Sequence, residues 1–192
     1  MRKLVVTEFT SLDGVMEDPG GAEQFEHGGW SMKFNDPEGM RFKFDELMAA
    51  EAQLLGRVTY EGFAKAWPTM RDEAGFADKF NTMKKYVVTS TLTEATWQNS
   101  EIVDGRGDVP AAVAALKRQE GGDILVAGSQ TLVRTLAAHD LVDEYRLIVH
   151  PIVLGSGKRL FDGVETPFTL RLVDSQTLAS GSLTLTYAPA RG

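Results

Sequence analysis

Two strand-to-helix turns carry residue types suited to holding an anion. In Leu54-Leu55-Gly56-Arg57-Val58-Thr59-Tyr60 and in Ile124-Leu125-Val126-Ala127-Gly128-Ser129-Gln130, an apolar run ends at glycine and small or hydroxylated residues open a helix. Such a turn aims unpaired backbone N–H groups and the positive end of a helix dipole at one point, which suits a phosphate. Two of them in one small α/β domain could hold the two ends of a dinucleotide. Arg57 and Thr59 add a cation and a hydroxyl. The competing reading is that any α/β protein needs glycine where strands and helices meet.

Asp13 is the candidate for proton chemistry. It lies in Ser11-Leu12-Asp13-Gly14, at the exit of the first apolar run, where α/β sheets place ligands. An ordinary Asp-Gly turn is its alternative. Trp30, in a Gly-flanked stretch, would either stack on a planar ligand or pin its loop to the core. Gly155-Ser156-Gly157-Lys158 fails as a phosphate loop, since Ile152 and Arg159 stand where Gly and Ser/Thr are required. Lys158 and Arg159 are still candidates to lie near an anionic substrate.

Composition removes other chemistries. The chain has no cysteine, which excludes disulfides, thiolate metal sites and a cysteine nucleophile. Its three histidines are dispersed, no Ser sits in a Gly-x-Ser-x-Gly elbow, and no metal site is expected. A net charge of −7 gives no electrostatic support for nucleic-acid or anionic-membrane binding. The start, Met1-Arg2-Lys3-Leu4-Val5, enters a strand with no apolar signal region, so a cytoplasmic location is expected.

At 192 residues and 43% hydrophobic, the chain can bury one good core, and we read it as one domain spanning 1–192. Strands are predicted at Lys3–Ser11, Ala52–Leu55, Lys85–Ser90, Glu101–Val103 and Ile124–Ala127. Helices are predicted from the Asp36-Pro37 start, over Val58–Ala66, Phe76–Met83, Asp108–Lys117 and Ser129–His139. After that helices cease, and Glu144–Val149, Phe168–Thr177 and Ser182–Tyr187 alternate as strands, the last two as a hairpin. Repeated strand–helix units imply a mostly parallel sheet with helices on both faces, finished at one edge by antiparallel strands. Leu12–Asn35 reads as one long Gly-rich loop, a length usual for functional segments.

These segments resemble a family. Gly56-Arg57-Val58-Thr59-Tyr60-Glu61 is similar to the segment of dihydrofolate reductases that meets the NADPH phosphates, and Tyr86-Val87-Val88-Thr89-Ser90 to the strand approaching the adenosine 2′-phosphate. Val126-Ala127-Gly128-Ser129-Gln130 resembles their turn over the pyrophosphate. Tyr145 through Phe161, which contains His150-Pro151 and Gly155-Ser156-Gly157-Lys158-Arg159, is similar to the reductase domain at the C-terminus of the bifunctional riboflavin deaminase-reductase, here as a stand-alone member.

The resemblance implies a three-layer dihydrofolate-reductase-like fold and an NADPH-dependent reduction of a small planar heterocycle, pterin- or pyrimidine-like. Gly56, Arg57, Thr59, Thr89, Ser90, Ala127, Gly128, Ser129, Gln130 and Thr131 would bind the cofactor, with Arg57 and Ser90 selecting the 2′-phosphate and the Gly128 amide on the pyrophosphate. Trp30, Phe44 and Lys158 would contact substrate, and a homodimer is expected. Where dihydrofolate reductases carry a carboxylate on the first helix, this chain has Met40, Arg41, Phe42 and Phe44. That departure leaves a second expectation, a catalytically silent binding protein that retains the fold.

Overall fold

In a computed structural model, residues 1–190 are described. The first strand, β1 (Leu4–Ser11), is central because its residues are apolar on both faces at its start: Leu4, Val5 and Val6 are fully buried. Around it, β2 (Ala50–Gly56), β3 (Lys84–Thr89), β4 (Ser100–Asp104) and β5 (Asp123–Val126) form the parallel part, and β6 (Glu144–His150) lies parallel on the other side of β1. The tail adds β7 (Leu170–Thr177) and β8 (Leu183–Pro189) antiparallel, giving the order β4-β3-β2-β5-β1-β6-β8-β7.

Helices cover both faces. On one, α1 (Pro37–Ala49), α2 (Arg57–Ala66) and α3 (Phe76–Thr82) pack on Val5, Leu125, Leu55 and Val87. On the other, α4 (Val109–Arg118) and α5 (Gln130–Ala138) pack on Leu4, Val6, Ile124 and Val126. The alternation along β1 sends successive side chains to the two helix layers. Asp36 caps α1 as expected, accepting from Glu38 N at 2.9 Å, while its other oxygen accepts from Ser180 N at 3.0 Å in the β7–β8 turn.

The Leu12–Asn35 loop is fixed rather than loose. It contains a short 3-10 turn, Trp30–Phe34, that periodicity did not reveal. Asp18 accepts from Ala22 N at 2.6 Å and Phe25 N at 3.3 Å, and Trp30 Nε1 donates to Glu17 O at 2.8 Å.

The shortness of β5 shapes the middle of the sheet. It is four residues long, pairing Val6 with Val126 on one side and Gln53 with Leu125 on the other. Beyond those pairs β1 and β2 continue with no described strand between them, so the sheet opens a crevice at its centre.

Candidate active site

The two glycine turns meet at this crevice. Gly56 N donates to Gly128 O at 3.2 Å, and a Cβ built on Gly56 would lie 2.5 Å from Ser129 Oγ. They therefore do not hold opposite ends of a dinucleotide. β2 and β5 are sheet neighbours, so their turns converge on one point. Gly128 has φ +86°, and a Cβ there would lie 2.9 Å from Thr59 Oγ1 and 3.8 Å from Glu8 Oε1. Both the conformation and the space require glycine. The Gly128–Ser129 peptide is cis.

A cavity of about 700 Å³ opens here, a size suited to a small ligand. Thr59, Ala127, Gly128, Ser129, Gln130 and Thr131 line it, and Lys158 stands at its mouth, paired with Glu17 at 2.6 Å. The N-termini of α2 and α5 thus face the same space. Its far wall is apolar, with Met40, Leu47, Trp67, Met70 and Phe76 among the contacts.

Other predicted residues lie elsewhere. Gly56 backs the cavity against Ser129 without lining it. Arg57 is exposed and paired with Glu61 at 2.8 Å. Thr89 Oγ1 accepts from Leu92 N at 3.0 Å, and Ser90 is exposed just beyond Val88, the partner of Gly56. Phe44 packs edge-on against Phe76 rather than lining the cavity. Trp30 is buried against His150, pinning the loop.

Asp13 is also outside the cavity. Its carboxylate accepts from Ser11 Oγ at 2.7 Å, Leu154 N at 3.1 Å and Gly155 N at 3.0 Å, and Arg159 approaches at 3.4 Å. The Ser11 bond leads the effects that hold its pKa down to about 2, so it is a fixed anion stapling two loops rather than a proton donor.

The carboxyl groups in the cavity are ones that the motifs did not single out. Glu46, on α1, accepts from Thr7 Oγ1 and lies 3.2 Å from Lys43 Nζ, which also donates to Thr7 Oγ1 at 2.5 Å. So α1 does present a carboxylate to the cavity, six residues beyond Met40. Glu8 lies on the opposite face of β1. Burial pushes its pKa up to about 8; Lys43 opposes this, Glu46 and Glu23 add to it, and the Gly128 N–H pulls it down. Among the described residues, Glu8 Oε1, Glu46 Oε2 and Gln53 Oε1 are buried without a hydrogen-bond partner.

Fold and crevice together define an α/β protein of the dihydrofolate-reductase-like class. The chain belongs to the RibD C-terminal domain family, whose model matches residues 2–184. The uncharacterized protein YyaP of Bacillus subtilis is 31% identical over 189 residues, 97% of this chain and 94% of its own. Among solved structures, a protein named for riboflavin biosynthesis from Shewanella sp. PV-4 is similar with a TM-score of 0.77 and 21% identity, covering 98% of this chain and 99% of that one. A dihydrofolate reductase from Enterococcus faecalis, solved with NADP(H), is similar with a TM-score of 0.58 and 15% identity, covering 98% and 97%. These two likenesses are of fold. No helix among the described residues is long and apolar enough to cross a membrane.

Proposed function

We propose that the protein is an NADPH-dependent reductase that transfers hydride to a small planar heterocycle, pterin- or pyrimidine-like. The observation that carries this reading is the contact between the Gly56 and Gly128–Ser129 turns behind one wall of a largely apolar cavity. The Gly128 cradle, which any Cβ would fill, fits a cofactor that must approach the backbone closely. It is supported by the family and by the NADP(H) bound in the dihydrofolate reductase of like fold.

In this reading Thr59, Ser129 and the Gly128 amide hold the pyrophosphate, with the N–H groups of Gln130 and Thr131 beside them. Arg57 leaves Glu61 to meet the 2′-phosphate beside Thr89 and Ser90, a charge-assisted contact that NADH cannot reward. Ala127 borders the nicotinamide, and Lys158 stands at the substrate entrance. The reduced nicotinamide supplies the hydride; the protein's part is orientation and exclusion of water. We further propose that the chain acts as one domain and as a homodimer, joined through its C-terminal strands.

Trp67 lines the cavity and is a built-in reporter. NADPH titrated against tryptophan fluorescence, with NADH in parallel, should give saturable quenching with a clear preference for NADPH. No binding of either nucleotide would overturn the reading. Binding without turnover on pterin, pyrimidine or quinone panels would favour a silent binding protein instead.

A further inference from the structure

We propose that Glu8 is the residue that holds, and gives up, the proton a substrate takes together with hydride, and that the substrate is therefore a neutral C=N or C=O acceptor. The inference rests on the reductase reading and deepens it. Its basis is the way the split sheet places two carboxyl groups in one cavity from opposite faces of β1.

The two carboxyls have different neighbours. Glu46 has a cation beside it, Lys43 at 3.2 Å, and the Thr7 hydroxyl on Oε1, although its Oε2 lacks a partner. Its charge belongs to a fixed Lys43–Thr7–Glu46 cluster. Among the described residues, Glu8 has no cation in salt-bridge contact and no hydrogen-bond partner at Oε1, and that oxygen lies 3.8 Å from where a Cβ on Gly128 would stand, beside the turn assigned to the cofactor in the reductase reading. An ionised carboxylate with a bare oxygen in such a place costs far more than a neutral acid. The groups acting on Glu8 are Lys43 and Glu46 from α1, Glu23 from the long loop and the Gly128 N–H. Their net effect, led by burial, keeps the proton on Glu8 up to about pH 8.

The chemistry is then set by charge balance. When an acceptor carbon takes hydride from a reduced nicotinamide, the C=N or C=O π pair moves onto the heteroatom. That atom needs a proton, which Glu8 supplies as its O–H bond breaks. Glu8 is left as a carboxylate facing Lys43 and is reprotonated from water. A cationic acceptor such as an N-alkylpyridinium needs no such proton and would gain nothing from the arrangement.

The test has an arm that needs no turnover. Infrared spectroscopy of the wild-type protein at pH 7 should show a buried carboxylic-acid C=O stretch that Glu8→Gln removes, Glu23→Gln retains, and titration bleaches with a midpoint near 8. Lys43→Met should move that midpoint up and Glu46→Gln should move it down. Persistence of the band in Glu8→Gln, or its absence from wild type, overturns the proposal.

For delivery, NADPH-dependent turnover of a panel of neutral cyclic imines and ketones should fall above about pH 8. Glu8→Gln should lower the single-turnover rate by roughly 10²–10⁴-fold while NADPH affinity stays within about threefold, a margin well under the tenfold that 1.4 kcal/mol represents. Glu8→Asp, which shortens the reach but keeps the acid, should retain the infrared band and recover part of the rate. Failure of the panel, or turnover of cationic acceptors that is insensitive to Glu8→Gln, overturns the substrate class. Absence of NADPH binding removes the reductase reading and the delivery role together, yet leaves the infrared signature where it was, so the two failures are distinguishable.

Discussion

A methyl group on Gly56 would lie 2.5 Å from Ser129 Oγ, 3.0 Å from its Cβ and 3.1 Å from its backbone nitrogen. The first turn is thus a surface against which the second is moulded. Because Gly56 has φ −72°, ordinary for any residue, the constraint is space and not backbone conformation. Gly56→Ala should cost about 1–3 kcal/mol through overpacking and weaken NADPH binding by at least roughly tenfold, equivalent to about 1.4 kcal/mol. Thermal melting and fluorescence titration would read the two effects. Gly56→Ala combined with Ser129→Gly should recover most of the melting temperature, and no recovery would mean that the strain lies elsewhere.

Arg57 and Glu61 form an exposed i,i+4 pair at 2.8 Å. Arg57→Ala should weaken NADPH binding far more than NADH binding. Glu61→Gln frees the guanidinium and should strengthen NADPH binding, while stability shifts by no more than about 0.5 kcal/mol. Equal losses for both nucleotides in Arg57→Ala would sink the role assigned to the arginine.

Asp13 ties the β1 exit to the Leu154–Gly155 backbone. Its folded pKa, about 2, lies below the ordinary 3.8, so the stabilisation is complete above about pH 4 and is lost as pH falls through the folded value. Asp13→Asn should cost about 1–2 kcal/mol, remove that acid-range slope in melting experiments, and leave NADPH affinity unchanged. A large loss of affinity at neutral pH would restore Asp13 to the site.

Lys85 is fully buried on β3, donating to Asn81 O, Met83 O and Gln98 O at 2.8–3.1 Å with Trp97 4.1 Å below it. Burial lowers its pKa from 10.5 to about 8. Between those values the unfolded chain binds the extra proton, so this residue makes stability rise with pH across that window. Lys85→Met should abolish the slope and, by stripping three carbonyls of their donor, destabilise by about 1–3 kcal/mol. Urea titrations at about pH 8 and pH 10.5, the two ends of that window, would check both.

The strand and helix order was legible because β-branched runs, the Asp36-Pro37 start and the helix-free tail each carry a local signal. The Gly56 and Gly128 turns were legible as strand-to-helix turns for the same reason. Their contact was not, since it depends on β2 and β5 becoming neighbours, a matter of topology. Glu8 and Glu46 were missed for complementary reasons. Glu8 follows Leu4 and Val6 on one face of a strand, and a charge at that place is the signal that could have found it. Glu46 shares a helical face with Lys43 at i,i+3 and reads in sequence as a solvated pair. Asp13 was misleading because the end of a strand suits a ligand and a loop staple equally.

The brevity of β5 has an architectural meaning. The site is a piece of missing sheet: two more residues in register after Val126 would pair with Thr7 and Glu8 on one side and with Leu55 and Gly56 on the other and zip the crevice shut, turning a chamber into ordinary core. The walls of that chamber belong to different layers, with strand ends beneath and helices α1, α2 and α3 above. Helix residues such as Met40 and Phe76 can therefore be exchanged without disturbing the strand that ends too early, and one scaffold can be retailored for many guests by rewriting its roof alone.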